Sequence, residues 1–116
     1  MNKEEIKKRY NKLIANIEHV RIYDGRGTYD FYQCERCGKP IVTLYVNKGV
    51  TPFVMQCPGC GGNTVHKYSF KTLPYSITGV LVRRWVRPTF EQLLKLNPAT
   101  IEYVLNGGLV FEEELK

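Results

Sequence analysis

Long apolar stretches are missing from this chain of 116 residues. The longest runs, such as Val80-Leu81-Val82, are far shorter than the ~20 apolar residues that span a bilayer. The first residues are highly charged and no apolar block follows them, so no secretory signal is predicted. We therefore expect a soluble, cytoplasmic protein without membrane contact. A reducing compartment also disfavours structural disulfides.

Acidic residues are missing from residues 36–90, although the whole chain has 17 basic and 11 acidic residues. The same window holds eight lysines and arginines, and acidic residues gather near the end, at Glu112, Glu113 and Glu114. This asymmetry predicts a basic surface that contacts either DNA or RNA, or an acidic protein partner. The residues predicted to form this surface are Lys67, Lys71, Arg83, Arg84, Trp85 and Arg87.

Cysteine is scarce, and the four cysteines of the chain fall into two C-x2-C pairs separated by 19 residues. A glycine follows each pair, Gly38 after the first and Gly61 after the second. Glycine at this point allows the backbone to turn sharply around a metal ion. Four thiolates with this spacing are typical of one structural zinc ion. The predicted ligands are Cys34, Cys37, Cys57 and Cys60.

Three other uses of these cysteines stay open on the sequence alone. Two disulfides are disfavoured by a reducing compartment. A thioredoxin-like redox pair opens a helix within a βαβ pattern, whereas both pairs here lie between predicted strands. Iron, a less common occupant than zinc, would use the same four ligands.

The segments "CERCG" and "CPGCG", with the predicted hairpin between them and the strand after them, resemble the zinc-ribbon family over residues 30–73. The resemblance implies that the four cysteines hold a structural zinc ion beside an antiparallel three-stranded sheet. It implies no single function, because zinc ribbons serve in transcription, replication, translation and protein assembly. The C-terminal sequence resembles uncharacterised small proteins of phages and gut bacteria, which implies no activity.

Catalytic motifs are lacking as well. A zinc ion closed by four cysteines has no open position for water or substrate. His19 and His66 do not lie in the H-x-E motif of zinc deaminases, and no P-loop or dinucleotide-binding motif occurs. We expect His66 to be a packed or half-exposed strand residue. The chain is therefore predicted to be non-catalytic and to have no small-molecule substrate.

These observations predict a structural-zinc protein that acts through a basic face as a nucleic-acid-binding or accessory module. The main alternative is a protein–protein interaction adaptor in which the zinc ribbon is purely structural. A small structural protein, in which the ribbon only organises the fold, is a third possibility.

Helices are predicted at both ends of the chain. Residues 3–18 are expected to form a helix with one apolar face. Residues 90–96 and 98–105 follow capping residues and are expected to form two short helices. The apolar face of the first helix comprises Ile6, Tyr10, Leu13, Ile14 and Ile17.

Strands are predicted between the helices. A first hairpin is expected from residues 20–23 and 28–33, and a second from residues 41–46 and 52–56. Further strands are expected over residues 64–73, with His66, Tyr68 and Phe70 on one face, and over residues 75–86. The fold class is α+β in one domain of residues 1–116, with a helix at 3–18, an antiparallel zinc ribbon at 30–73 and a strand with short helices at 75–116.

Overall fold

The computed structural model describes residues 1–52, 55–72 and 80–116. Two 3-10 helices, Ile17–His19 and Glu112–Leu115, lie near the two ends of the chain. Residues 53–54, 73 and 75–79 of the predicted strands lie outside the described residues. The remaining elements are α1 (Lys3–Asn16), β1 (Tyr29–Cys34), β2 (Pro40–Tyr45), β3 (Met55–Gln56), β4 (Asn63–Phe70), β5 (Val82–Val86), α2 (Phe90–Leu93), α3 (Pro98–Leu105) and β6 (Val110–Phe111).

The predicted α+β class is confirmed, with a helix at the N-terminus and short helices near the C-terminus. Within the described residues, six strands form one sheet in the order β3-β4-β1-β2-β5-β6. Most neighbouring strands are antiparallel, but β2 and β5 are parallel. None of the helices in the described ranges has the length and apolarity needed to cross a membrane.

The prediction of a hairpin between residues 41–46 and 52–56 is wrong. The corresponding strands, β2 and β3, share the sheet, but β1 and β4 lie between them. Strand β1 fills the place beside β2, because Tyr29–Cys34 pairs with β2 along one edge and with β4 along the other. A hairpin of β2 with the preceding strand, joined by residues 35–39, therefore replaces the predicted hairpin with the following one.

The hairpin predicted from residues 20–23 and 28–33 is also wrong, because residues 20–23 form no strand. Both edges of β1 are already occupied by β2 and β4. The turn before β1 bonds to the end of β2 instead. There, the Gly27 N–H donates to the Tyr45 carbonyl at 2.9 Å, and the Tyr45 N–H donates to the Thr28 carbonyl at 3.1 Å.

The helix predicted over residues 3–18 is confirmed as α1 followed by a 3-10 turn. Asn2 caps its start by accepting the Glu5 N–H at 2.9 Å. Ile6 and Ile17 are buried, whereas Ile14 is 44% exposed. The observed apolar face of α1 is therefore narrower than the spacing of its apolar residues predicted.

The two short C-terminal helices have the predicted starts. Thr89 and Gln92 form the capping box of α2, which ends earlier than predicted, at Leu93. Asn97 caps α3, with Pro98 at its first position. These helices and α1 share one apolar cluster, whose buried members are Ile6, Leu93, Ile101, Val104, Leu105 and Val110.

A second apolar cluster lies on one face of the sheet. Trp85 stacks on Phe111 with ring centroids 3.9 Å apart. This face also buries polar Thr43, the β2 residue opposite Arg83. The cluster comprises Tyr32, Ile41, Tyr45, Met55, Trp85, Leu109 and Phe111; we call it the tryptophan core.

A β-bulge changes the predicted faces of β4. Phe31 lies opposite Tyr68, but the next residue, Tyr32, lies opposite His66, so Lys67 is the extra residue. One extra residue shifts the alternation of side chains to the other face. The prediction that His66 shares a face with Tyr68 and Phe70 is therefore wrong: His66 lies on the face of Tyr32.

Candidate metal centre

The four cysteine sulfurs meet at one end of the sheet. All four Sγ atoms lie within 4.8 Å of one another. Cys34 Sγ lies 3.5 Å from Cys60 Sγ, and Cys37 Sγ lies 3.6 Å from Cys57 Sγ. A tetrahedral zinc site with Zn–S bonds of about 2.3 Å requires sulfurs about 3.8 Å apart. The arrangement therefore fits one tetrahedral metal ion.

Two loops of the same geometry supply these sulfurs. In the first, the Cys34 N–H donates to the Lys39 carbonyl at 3.0 Å and the Gly38 N–H donates to the Cys34 carbonyl at 3.0 Å. The second repeats both bonds with the same sequence offsets, from Cys57 to the Gly62 carbonyl at 2.7 Å and from Gly61 to the Cys57 carbonyl at 2.9 Å. Each loop thus turns back on itself and brings its two sulfurs to the shared cluster.

Gly38 and Gly61 make these turns possible. Their φ angles are 76° and 75°. A side chain at such a positive φ brings Cβ against the backbone, which costs about 1–2 kcal/mol. The prediction that the glycine after each cysteine pair allows a sharp turn agrees with these angles.

Backbone N–H groups point at the Cys34 sulfur. Arg36 and Cys37 each donate an N–H to Cys34 Sγ at 3.4 Å. Hydrogen bonds to a thiolate favour the charged form. The N–H of Cys37, together with that of Arg36, therefore lowers the pKa of Cys34 to about 6.

The second loop repeats this stabilisation of the thiolate. The pKa of Cys57 is lowered, first by the N–H of Cys60 and then by that of Gly59. At Cys37 the Lys39 N–H favours the thiolate, but the sulfurs of Cys60 and Cys57 outweigh it and raise the pKa of Cys37 to about 11. Four thiolates this close would repel one another, and a divalent cation at their centre would remove that repulsion.

The site is buried on one side and open on the other. Cys34 and Cys57 are 2% and 3% exposed, while Cys37 is exposed and Cys60 is half-buried. Two cationic side chains, Arg36 and Lys39, lie in the first loop, and Arg36 Nη1 reaches the Cys60 carbonyl at 3.5 Å. These cations would complement the net charge of −2 that four thiolates and one divalent metal ion carry together.

This donor set indicates a closed metal site. Four thiolates complete the tetrahedral coordination of zinc and leave no ligand position for water. The same four ligands also suit iron. The structure thus groups four sulfur atoms in an arrangement that fits one metal ion.

The predicted binding residues on β5 lie close together, but each has an intramolecular contact. The Arg83 guanidinium lies 3.6 Å from the Phe111 ring centroid, and its Nε contacts Glu113 Oε1. Arg84 Nη1 lies 3.7 Å from Glu112 Oε2, and its side chain is 58% exposed. Residues 83 and 84 are thus placed beside the acidic C-terminal turn of the same chain.

Trp85 is buried and Arg87 is half-buried. Trp85 is 3% exposed within the tryptophan core. The Arg87 N–H donates to Asn47 Oδ1 at 2.8 Å, and its Nη2 contacts the Lys48 carbonyl. Burial lowers the pKa of the Arg87 guanidinium. In this conformation the side chains of both residues make contacts within the protein.

Lys67 and Lys71 lie away from the β5 arginines, at the bulge and just after the end of β4. Both are exposed, and Lys71 Nζ donates to Thr28 Oγ1 at 3.0 Å. Of the six predicted binding residues, Arg83 and Arg84 thus lie beside the acidic turn, Trp85 and Arg87 contact the protein itself, and Lys67 and Lys71 lie in the region of β4.

Sequence reasoning missed a polar group beneath the β4 bulge. Ser69 Oγ donates to Asp30 Oδ1 at 2.6 Å, and His66 Nε2 lies 3.1 Å from the same oxygen. Asp30 is 5% exposed. The predicted description of His66 as a half-exposed strand residue agrees with its 47% side-chain exposure. The bulge that brings His66 to this face left no clear sign in the sequence.

Comparisons with protein-family models, with curated proteins and with solved structures gave no match to this chain. The resemblance to zinc ribbons therefore depends on the two cysteine pairs and on the grouping of their sulfurs.

Proposed function

We propose that this protein is a non-catalytic module in which one structural zinc ion fixes an end of the sheet, and that it binds nucleic acid through its basic surface. The observation that carries the zinc assignment is the grouping of the Cys34, Cys37, Cys57 and Cys60 sulfurs within 4.8 Å. Zinc is preferred to iron because it is the usual occupant of four-cysteine structural sites.

A structural role for the ion follows from its position. The proposed ligands come from the end of β1, from the loop that follows it and from the segment between β3 and β4. One ion therefore ties together three neighbouring strands of the sheet. A site closed by four thiolates has no position at which a substrate or a water molecule is activated, which supports the proposal of a non-catalytic protein.

The proposal of nucleic-acid binding is supported by the charge pattern. Residues 36–90 contain no acidic residue, and Arg36, Lys39, Lys67, Lys71 and Arg84 are exposed. Phosphate contacts from lysine and arginine dominate the affinity of most nucleic-acid-binding proteins. With the metal site at −2, the formal charge of +6 falls to about +4, which is still basic.

A second candidate function is a protein–protein interaction adaptor with a purely structural metal site. The contacts of Arg83 with Glu113 and of Arg84 with Glu112 favour the adaptor, because both arginines already pair with carboxylates. An acidic peptide would offer the same groups.

Elemental analysis of purified protein tests the metal assignment. We expect one equivalent of zinc per chain and no stoichiometric iron. Protein that is folded and contains neither metal would refute the assignment.

A salt titration tests nucleic-acid binding. The affinity for duplex DNA should fall by ~0.9 log units per log unit of salt for each phosphate neutralised. The variant Lys67→Gln/Arg84→Gln should reduce this slope, whereas Lys3→Gln/Lys12→Gln on α1 is the matched control. Equal slopes in both variants would contradict the assigned surface, and binding to an acidic peptide instead would favour the adaptor.

A further inference from the structure

The sheet face opposite the tryptophan core carries a group of aromatic side chains. Tyr29 and Phe31 alternate along β1, and their partners across the β1–β4 ladder are Phe70 and Tyr68. Residues directly opposite each other in a ladder share a face. We call Tyr29, Phe31, Tyr68 and Phe70 the aromatic face.

Two rows of side chains cross four strands on this face. The registers place Tyr68, Phe31, Val42 and Val82 in one row, and Phe70, Tyr29, Leu44 and Arg84 in the next. An arginine thus ends the second row, three strands away from the aromatic residue at its other end.

The aromatic rings are close together, and the most exposed of them is Tyr68. The Phe31 and Tyr68 centroids lie 6.2 Å apart, and the Tyr68 and Phe70 centroids lie 6.1 Å apart. Tyr68 is 61% exposed, while Phe31 and Phe70 are half-buried. A large ring held in water on a rigid strand contributes little to a core and offers its face to a ligand.

The charge of this face favours a polyanion. The four strands β1, β2, β4 and β5 contain one acidic residue, Asp30, and the bulge leaves its buried carboxylate on the opposite face with Ser69 and His66. The carboxylate beside Arg84 comes from the C-terminal turn instead, where Glu112 Oε2 lies 3.7 Å from Arg84 Nη1. A cavity of about 350 Å³ lies there, and its lining includes Tyr29, Arg84, Glu112 and Glu113.

We propose that the aromatic face binds single-stranded nucleic acid and that the acidic turn Glu112–Leu115 competes with it. Unpaired bases stack on Tyr68 and Phe31, and a phosphate takes the place of the Glu112 carboxylate beside Arg84. Stacking needs bases that are not paired in a duplex, and it tolerates any sequence because every base has a π face. This inference rests on the nucleic-acid function proposed above and names the class of its ligand.

The test measures fluorescence anisotropy of labelled 15-nucleotide oligo-dT and oligo-U, and of a 15-base-pair duplex, with the zinc-loaded full chain at ~50 mM salt. Both single strands should bind more tightly than the duplex. Loss of one stacking ring weakens binding by roughly 5- to 150-fold, so Tyr68→Ala should lose at least about fivefold, and Tyr68→Phe should retain the affinity. Tyr23→Ala is the matched control, because Tyr23 is 63% exposed and lies against Tyr45.

The acidic turn is tested with Glu112→Gln/Glu113→Gln, which keeps the side-chain shape and removes two charges. This variant should bind oligo-dT more tightly than the unchanged chain. Thermal unfolding and zinc content are measured for every variant, and a Tyr68→Ala protein that keeps both but loses affinity supports the inference.

Two results would overturn the inference, and they differ in whether they also refute the nucleic-acid function. Salt-dependent binding of duplex and single strands alike, unchanged by Tyr68→Ala, refutes the stacking face and leaves the nucleic-acid function intact. Absence of binding to every probe, by both the unchanged chain and the Glu112→Gln/Glu113→Gln variant, refutes both and favours the adaptor.

Discussion

Loss of one metal ligand should remove a large part of the stability of this protein. We consider Cys57→Ser, because Cys57 is 3% exposed and its N–H donates to the Gly62 carbonyl at 2.7 Å inside the loop. Structural zinc sites bind with apparent free energies of about 10–16 kcal/mol. With ~10 μM free zinc, mass action converts this affinity into about 3–9 kcal/mol of stability. For 116 residues the whole free energy of unfolding is about 6–17 kcal/mol.

Unfolding of the variant should begin in the cysteine loops before it extends to the whole chain. The cysteine loops lie at one end of the sheet, while the cluster of Ile6, Leu93 and Ile101 is formed by the helices. Hydrogen exchange should therefore show lost amide protection in residues 57–64 and 34–39, with more protection kept in α3. The melting temperature should fall by at least about 10 °C.

The matched control is Glu35→Gln, since Glu35 is an exposed residue of the first loop and not a predicted ligand. It should keep one zinc and a nearly unchanged melting temperature. The reasoning is refuted if Cys57→Ser protein, or protein stripped with a chelator, contains no metal and still unfolds at the temperature of the original. Zinc content by mass spectrometry and calorimetry on the same sample decide this.

Three further predictions concern other parts of the molecule. Gly61→Ala, at φ 75°, should cost about 1–2 kcal/mol in denaturant titrations, whereas Gly59→Ala, whose Cβ would lie 3.5 Å from Lys39 Cδ, should cost less; equal losses would contradict the turn argument. Leu93→Ala, at 0% exposure, should destabilise by about 2–5 kcal/mol, and a loss below ~1 kcal/mol would show that the helical cluster is loosely packed. A hydrogen bond from Arg9 lowers the pKa of Glu102 below its ordinary 4.5. This carboxylate therefore stabilises the fold above that pH, and the stabilisation is lost as the pH falls through the folded pKa. Glu102→Gln should reduce acid sensitivity in pH-dependent melting, and an unchanged profile would contradict the contribution of the pair.

Local signals predicted the helices and the grouping of the four cysteines well. The capping residues Asn2, Thr89 and Asn97 begin helices where the sequence predicts them. Such caps act within a few residues, so they can be recognised without knowledge of the rest of the chain. The cysteine pairs and their glycines are equally local, and the four sulfurs meet as predicted.

Strand order and exposure depend on distant residues and were predicted poorly. Nothing within β1 indicates that both of its edges are used, or that β5 joins β2 in parallel. Loop length made the β2–β3 hairpin look favourable, yet a strand from earlier in the chain takes the place beside β2. The bulge at Lys67 reverses which face Tyr68 occupies, and a single inserted residue leaves no periodic signal.

The contacts of the predicted basic surface were equally hidden. Arg83 and Arg84 meet Glu113 and Glu112 because β6 pairs with β5 and carries the acidic turn to them. Charge pattern alone shows that both groups exist, and it cannot show that the fold brings them together.

The position of Cys34 at the last residue of β1 has a consequence for how the strands find their alignment. Sliding β1 by one residue against β4 would carry this sulfur about 3.3 Å along the strand and turn it to the opposite side of the sheet. A tetrahedral ion with bonds of about 2.3 Å does not tolerate that displacement. A bound ion would thus select one alignment of β1 and β4 and reject the shifted ones, including those that bury a similar number of aromatic rings.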